Sequence, residues 1–119
     1  NNDNIVKIGK VVHPEVRNRM NNFLKKNKKK KFVILDIPLL LENKINKKDF
    51  ILVFVDAKKK DINNKLKKRQ NFNPKIIKKL RQIQLPLELK KKYSNFVLKN
   101  NFKINSVKKS VKMIIKKIN

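Results

Sequence analysis

The chain has 119 residues, with 34 Lys and Arg against 8 Asp and Glu, a formal net charge of +26, one His, one Gly and no Cys. This length allows one modest domain, and the lack of Cys excludes disulfides and cysteine-based metal sites. The longest apolar run, residues 32–41, is interrupted by Asp36 and Pro38. It is therefore too short for a membrane-spanning helix, which needs about 20 apolar residues.

The first 24 residues have apolar side chains at helical spacing. They predict a short helix that ends near His13, because Pro14 disfavours helical geometry in the residue before it. Pro14 can then open a second helix at its first position. The two predicted apolar faces consist of Ile5, Val6, Ile8, Val11 and Val12, and of Val16, Met20, Phe23 and Leu24. The sequence thus predicts a helical hairpin or a kink at this end.

Two continuous apolar segments, Phe32–Leu35 and Phe50–Val55, are each followed by an aspartate, Asp36 and Asp56. Such runs are typical of parallel strands that are buried on both faces, and Phe96–Leu98 predicts a third short strand. Ligands of open parallel sheets lie beyond the carboxyl ends of the strands, where an aspartate can hold Mg²⁺ or its waters for phosphoryl transfer. The alternative role of a strand-ending aspartate is to cap the next helix.

The remaining apolar patterns are helical. A polar helix is predicted around Asp61–Arg69, and a second one begins after Asn73-Pro74, where Asn caps and Pro starts the helix. The second helix has the apolar residues Ile76, Ile77, Leu80 and Ile83, and a last amphipathic helix has Val107, Val111, Ile114, Ile115 and Ile118. Strands that alternate with helices predict an α/β fold with a parallel sheet.

The net charge of +26 has two explanations. Clustered cations gain affinity for nucleic acid by releasing phosphate counterions. However, Lys, Asn and Ile make up 62 of the 119 residues, and all three have A/T-rich codons, so nucleotide bias can produce the same surface. Only four residues are Arg, the side chain that suits bidentate phosphate and base recognition. We therefore expect weak polyanion binding without base preference and no specific nucleic-acid partner.

Several catalytic sites are excluded by composition. One Gly cannot supply a G-x-x-x-x-G-K-[ST] phosphate loop or a G-x-G-x-x-G dinucleotide turn. One His, three scattered Ser and no Cys or Thr leave no plausible nucleophile and base pair. Carboxylates at strand ends therefore remain as the candidate reactive groups.

A set of ordered motifs resembles the carboxyl-terminal part of dephospho-CoA kinases. The motifs are H-P-E-V-R from His13, D-I-P-L-L-L-E from Asp36, V-D-A from Val55, Arg69, Q-L-P-L-E from Gln84, and Asn100. The resemblance implies a P-loop-kinase-like α/β fold, incomplete here, with a helical CoA region in residues 1–31. Residues 32–119 correspond to the kinase core, including a lid-like helical stretch over about 58–92.

This resemblance implies an ATP-dependent kinase that phosphorylates the ribose 3′-hydroxyl of dephospho-CoA, in the cytoplasm and as a monomer when complete. Asp36 matches a catalytic position beside the phosphates, with Mg²⁺ held directly or through water. Arg69, Lys65 and Asn100 match ATP-binding positions, and His13 and Arg17 match CoA-binding positions. Lys65 stands where the family usually has Arg, which puts a two-arginine clamp in doubt because Lys lacks the planar fork.

The resemblance also implies that the phosphate loop and the acidic residue that acts on the ribose lie before residue 1. We therefore expect this chain to be inactive by itself. Two further hypotheses remain open: a small basic, ribosome-associated nucleic-acid-binding protein, and a remnant that binds CoA without catalysis. Most of the seven Phe residues lie in apolar runs and are not interleaved with cations, which disfavours stacking on bases.

Overall fold

The computed structural model describes residues 2–119, with side chains from residue 7 onward. It contains five helices and two strands in these residues: α1 (Asn2–Lys26), β1 (Val53–Asp56), α2 (Lys59–Lys67), α3 (Pro74–Gln82), α4 (Leu87–Tyr93), β2 (Phe96–Lys99) and α5 (Ile104–Ile118). They form two compact units, Asn1–Asn46 and Lys47–Asn119. In the described residues, no helix is long and apolar enough to cross a membrane.

The first unit contains one helix, α1, where the sequence predicted two. The prediction that a helix ends near His13 is therefore wrong. Helix α1 contains Pro14 in its interior. An interior proline removes one N–H donor and costs about 3 kcal/mol relative to alanine, but the hydrogen bonds of the turns on either side can still form. His13 packs over Gly9, where a Cβ atom would lie 3.2 Å from the imidazole Cε1. The predicted apolar residues Ile5 and Val6 lie outside the described side chains.

The second unit contains the parallel sheet that the sequence predicts. Strands β1 and β2 pair in register from Val53 opposite Phe96 to Asp56 opposite Lys99. The pairing starts with Asn95, whose side-chain Oδ1 accepts a 2.7 Å bond from the Leu52 N–H. The backbone N–H of Asn95 returns a 2.8 Å bond to the Leu52 carbonyl. The side chain of Asn95 thus extends the strand ladder by one residue.

The segment Phe32–Leu35 is not a strand, so this prediction is wrong. A strand exists through the hydrogen bonds that it makes with a neighbour, and the sheet of the described residues consists of β1 and β2. Ile34 in this segment is 89% exposed. Apolar composition predicted a strand here, but composition alone does not supply a partner strand.

The prediction that the strands are buried on both faces is also wrong. Val55 of β1 is 55% exposed, and Val53 and Val97 are exposed as well. Among the described elements, α5 packs against β2, which leaves much of β1 uncovered. Met20 and Ile45 are the buried apolar residues among the described side chains, and both belong to the first unit.

The helices that the patterns place after β1 are confirmed within a few residues. The Asn73 side chain accepts bonds from the backbone N–H groups of Lys75 and Ile76 at 3.0 and 3.3 Å, and Pro74 is the first helical residue of α3. A helix start leaves four N–H positions without an intrahelical partner, and Pro74 has no N–H, so the Asn73 side chain satisfies two of the three donors that remain. The last amphipathic pattern forms α5.

We predict that Asn73→Ala lowers the free energy of unfolding by about 1 kcal/mol, because α3 loses its side-chain cap. Asn73→Ser is the matched control, since its hydroxyl can accept the same bonds. Urea unfolding followed by circular dichroism measures both variants. An equal loss in the serine variant would contradict a capping role for Asn73.

Candidate functional site

The carboxyl edge of the sheet in the second unit carries a small polar network. Beyond the last strand pair, the N–H of Asn100 donates to the Asp56 carbonyl at 2.7 Å. The Asp56 side chain accepts a 3.3 Å bond from the Lys91 ammonium of α4. Both side chains of this ion pair are about 40% exposed, so the pair contributes little to stability. The effect of this ion pair is electrostatic, because the Lys91 ammonium neutralises the Asp56 carboxylate at this edge of the sheet.

The loop after β2, residues 100–103, is shaped by its own asparagine side chains. Asn100 Oδ1 accepts from the Phe102 N–H at 2.9 Å, and Asn101 Oδ1 accepts from the Lys103 N–H at 3.1 Å. Asn101 also donates to the Ser106 hydroxyl of α5 at 3.2 Å. Phe102 has a φ of +60°, a left-handed conformation that is uncommon for an aromatic residue. We call residues 100–103 the edge loop.

The edge loop and α2 line an open cavity of about 170 Å³, which we call the edge cavity. Lys65 of α2 places its ammonium 5.3 Å from the centroid of the Phe102 ring, within the range of a cation–π contact. The lining residues are Asp61, Asn64, Lys65, Lys68, Asn101 and Phe102. The lining has two ammonium groups, of Lys65 and Lys68, and one carboxylate, of Asp61, so the cavity carries a net positive charge that suits an anionic ligand.

Three of the predicted site residues belong to this unit. Lys65 lines the edge cavity, and Asn100 holds the edge loop through the Phe102 N–H. Arg69 lies in the turn just after α2, one helical turn beyond Lys65, and is exposed. The Arg69 carbonyl accepts a 3.1 Å bond from the Phe72 N–H, which tightens this turn. Lys65 and Asn100 thus both contact Phe102, Lys65 at the ring and Asn100 at the backbone N–H, although 35 positions separate them in the sequence.

His13 and Arg17 lie one turn apart on α1 in the first unit. His13 is half-buried over Gly9, and Arg17 is exposed. The Arg17 Nη2 group donates to the Asn43 carbonyl at 2.9 Å. One nitrogen of this guanidinium therefore joins α1 to the turn that contains the D-I-P-L-L-L-E motif.

That motif forms a compact turn after Asp36. The Ile45 N–H donates to the Leu40 carbonyl at 3.0 Å, and the Asn43 N–H donates to the Leu39 carbonyl at 3.1 Å. Leu39 has a left-handed φ of +54°. Asp36 itself is exposed and precedes this turn in a segment without regular secondary structure. The predicted placement of Asp36 at a strand end is therefore wrong, because Phe32–Leu35 forms no strand.

A Mg²⁺ site built from the described residues would have few protein ligands. They contain no group of three or more His, Cys, Asp or Glu side chains that could hold a metal ion. Mg²⁺ commonly keeps several waters and binds through one or two carboxylates together with substrate phosphates. Asp36 fits such a site only as a single carboxylate ligand.

Sequence reasoning missed Asn101, Phe102, Lys68 and Lys91. The dipeptide Asn100-Asn101 was a usable signal, since asparagine side chains commonly bond the backbone two residues on. Lys68 shares the face of Lys65 at a spacing of three residues, which a helical wheel shows. Nothing in the sequence pairs Lys91 with Asp56, because that contact depends on how α4 returns to the sheet.

The comparisons with known proteins agree on one family. The family model described as dephospho-CoA kinase matches residues 1–106. A dephospho-CoA kinase of Bacillus anthracis is 33% identical over 123 residues, covering all of this chain and 60% of its own length. The dephospho-CoA kinase of Fusobacterium nucleatum is 31% identical over 112 residues, covering 93% of this chain and 57% of its own length. The chain thus spans about 60% of the length of the curated relatives it matches.

We predict that Asn100→Ala speeds amide hydrogen exchange at Phe102 by about tenfold, because the N–H of that residue loses its side-chain acceptor. Asn100→Asp is the matched control, since a carboxylate oxygen can accept the same bond. Residue-resolved hydrogen exchange, followed by NMR, measures the exchange rate of the Phe102 amide in both variants. Unchanged exchange at Phe102 in the alanine variant would show that Asn100 does not hold the edge loop.

Proposed function

The chain belongs to the dephospho-CoA kinase family, and on that premise we propose that it carries part of the machinery that phosphorylates dephospho-CoA. In this reaction the ribose 3′-hydroxyl oxygen bonds to the γ-phosphorus of ATP. The bond between that phosphorus and the β–γ bridging oxygen breaks, ADP leaves, and the hydroxyl proton is released. The products are CoA and ADP.

The observation that carries the proposal is the edge cavity at the carboxyl end of two parallel strands. Ligands of α/β sheets bind in this position, and the cavity is lined by two lysines, of which Lys65 lies against an aromatic ring. Asp56 is the strand-end acid in this unit, and its pairing with Lys91 reduces its repulsion of phosphate. We propose that ATP binds at this edge, with Asn100 near the adenine.

Lys65 and Arg69 are proposed to contact the phosphates of ATP. Phosphoryl transfer depends mainly on positioning and on neutralising the charge that is spread over the phosphate oxygens. Arg69 offers the planar fork that binds two oxygens at once, whereas Lys65 acts as a point charge. Lys65 lies in the last turn of α2 and Arg69 in the turn that directly follows it, so the two cations stand four positions apart at this helix end.

The first unit is proposed to supply the groups that meet dephospho-CoA. His13 and Arg17 share one side of α1, and Arg17 also fixes the turn that follows Asp36. Asp36 is proposed to lie beside the transferred phosphate and to ligate Mg²⁺ directly or through water. That ion would neutralise phosphate charge, and its remaining ligands would be water and phosphate oxygens.

We further propose that the 119-residue chain has no turnover without a phosphate loop from a separate segment. A loop of the G-x-x-x-x-G-K-[ST] type needs two glycines, and the chain has one, Gly9, inside α1. The exposed apolar residues of β1 support a larger α/β fold, in which further elements cover the faces of the sheet.

The proposal is tested by joining the amino-terminal 40% of the Bacillus anthracis relative to residue 1 of this chain. We expect this chimera to convert dephospho-CoA to CoA in the presence of ATP and Mg²⁺, and the 119-residue chain to show no turnover. Formation of CoA is followed by chromatography. A chimera that melts cooperatively yet produces no CoA contradicts the proposed activity, and turnover by the 119-residue chain contradicts its dependence on a second segment.

In the active chimera, Arg69→Lys is expected to lower kcat/KM by an amount equivalent to about 1 to 3 kcal/mol, because a bidentate contact becomes a point charge. The KM for dephospho-CoA should change little. Arg19→Lys is the matched control, since Arg19 is an exposed arginine that pairs with Glu15 at 2.7 Å on α1. Equal kinetics in the two variants would remove Arg69 from the ATP site.

A further inference from the structure

A second cavity, of about 480 Å³, lies between α2 and α3. Its apolar floor contains Leu66, Phe72 and Ile77, which are all half-buried. The turn that joins the two helices closes one end of the cavity, because Phe72 belongs to it. We call this cavity the interhelical groove. Its volume lies within the range of about 300 to 1,000 Å³ that is usual for small-molecule sites.

The rim of the interhelical groove carries three cations, Lys67, Lys78 and Arg81, and no acidic residue lines it. In the described part of the chain, none of these cations forms an ion pair. Arg81 Nη2 donates to Asn63 Oδ1 across the groove at 2.9 Å. This bond uses one of the five N–H groups of the guanidinium and sets its position at the opening.

The interhelical groove is distinct from the edge cavity, although both use α2. Lys65 and Lys68 line the edge cavity, whereas Asn63, Leu66 and Lys67 line the groove. Residues 63, 66 and 67 share one helical face by their spacing of three and four. Helix α2 therefore presents one face to each cavity, and the groove does not depend on the proposed ATP site.

We infer that the interhelical groove binds an amphiphilic anion, with an aliphatic body on the apolar floor and a phosphate head group on the rim cations. The floor removes apolar surface from water, which favours a ligand with a hydrocarbon chain. The rim concentrates positive charge at the opening, and the arginine fork matches phosphate oxygens. The apolar floor favours the hydrocarbon chain of such a ligand, and the cationic rim favours its phosphate. Inorganic phosphate would contact only the rim, and a neutral chain would contact only the floor.

The test uses the isotopically labelled 119-residue chain and n-octyl phosphate below its micelle concentration. We expect saturable NMR shift changes that concentrate at residues 66–81. Inorganic phosphate and octyl glucoside, which carry the head group and the chain separately, should each bind at least tenfold more weakly. Shift changes that spread evenly over the lysine-rich surface, or an equal response to inorganic phosphate, would overturn the inference.

Two pairs of variants separate the groove from general charge and apolar effects. Arg81→Gln should weaken octyl phosphate binding by about tenfold, since a charge-assisted hydrogen bond is lost. Lys112→Gln removes the same charge from exposed α5 and should have little effect. Ile77→Ser should weaken binding, whereas Ile104→Ser, at a residue that is 71% exposed on α5, should not. Equal losses within either pair would overturn the assignment to the groove.

Discussion

The pairing of β1 with β2 is the interaction on which the second unit depends. Two asparagines bracket it: Asn95 bonds Leu52 before the first strand pair, and Asn100 bonds the Asp56 carbonyl after the last one. The pairing brings the edge loop to the carboxyl edge of the sheet, and α2 supplies the cations that face the loop. This register places the Phe102 ring within reach of the Lys65 ammonium. The candidate ATP site is therefore a product of strand pairing more than of any single motif.

Charge is the second constraint on this protein. With 34 basic residues and 8 acidic ones, most cations have no acidic partner to neutralise them, and a compact state must tolerate their repulsion. The fold places its few described ion pairs on the surface and leaves cationic rims around both cavities of the second unit. Anionic ligands would relieve part of this repulsion. Polyphosphate substrates and a phosphate-bearing amphiphile both satisfy this electrostatic requirement.

Asparagine side chains fix the backbone at several points where the second unit leaves regular structure. Asn73 caps α3, Asn95 extends the strand ladder, and Asn100 and Asn101 shape the edge loop. An amide oxygen serves as a backbone acceptor wherever the chain leaves regular structure, so it replaces the glycines that such turns often use. Phe102 is an example, because the edge loop holds its backbone in a left-handed conformation that a glycine would adopt without strain.

The sequence by itself determined several helices and the family. Asn73-Pro74 predicted the start of α3, apolar spacing predicted α5, and ordered motifs from His13 to Asn100 indicated the family that the comparisons confirm.

Tertiary structure decided the rest. Phe32–Leu35 has the composition of a strand but lacks a partner in the described chain, and Arg17 meets Asn43 because a turn closes on α1. Helix caps and periodicity act over a few residues, which a sequence records directly. Strand pairing and side-chain contacts join distant residues, and only the folded backbone brings their atoms within bonding distance.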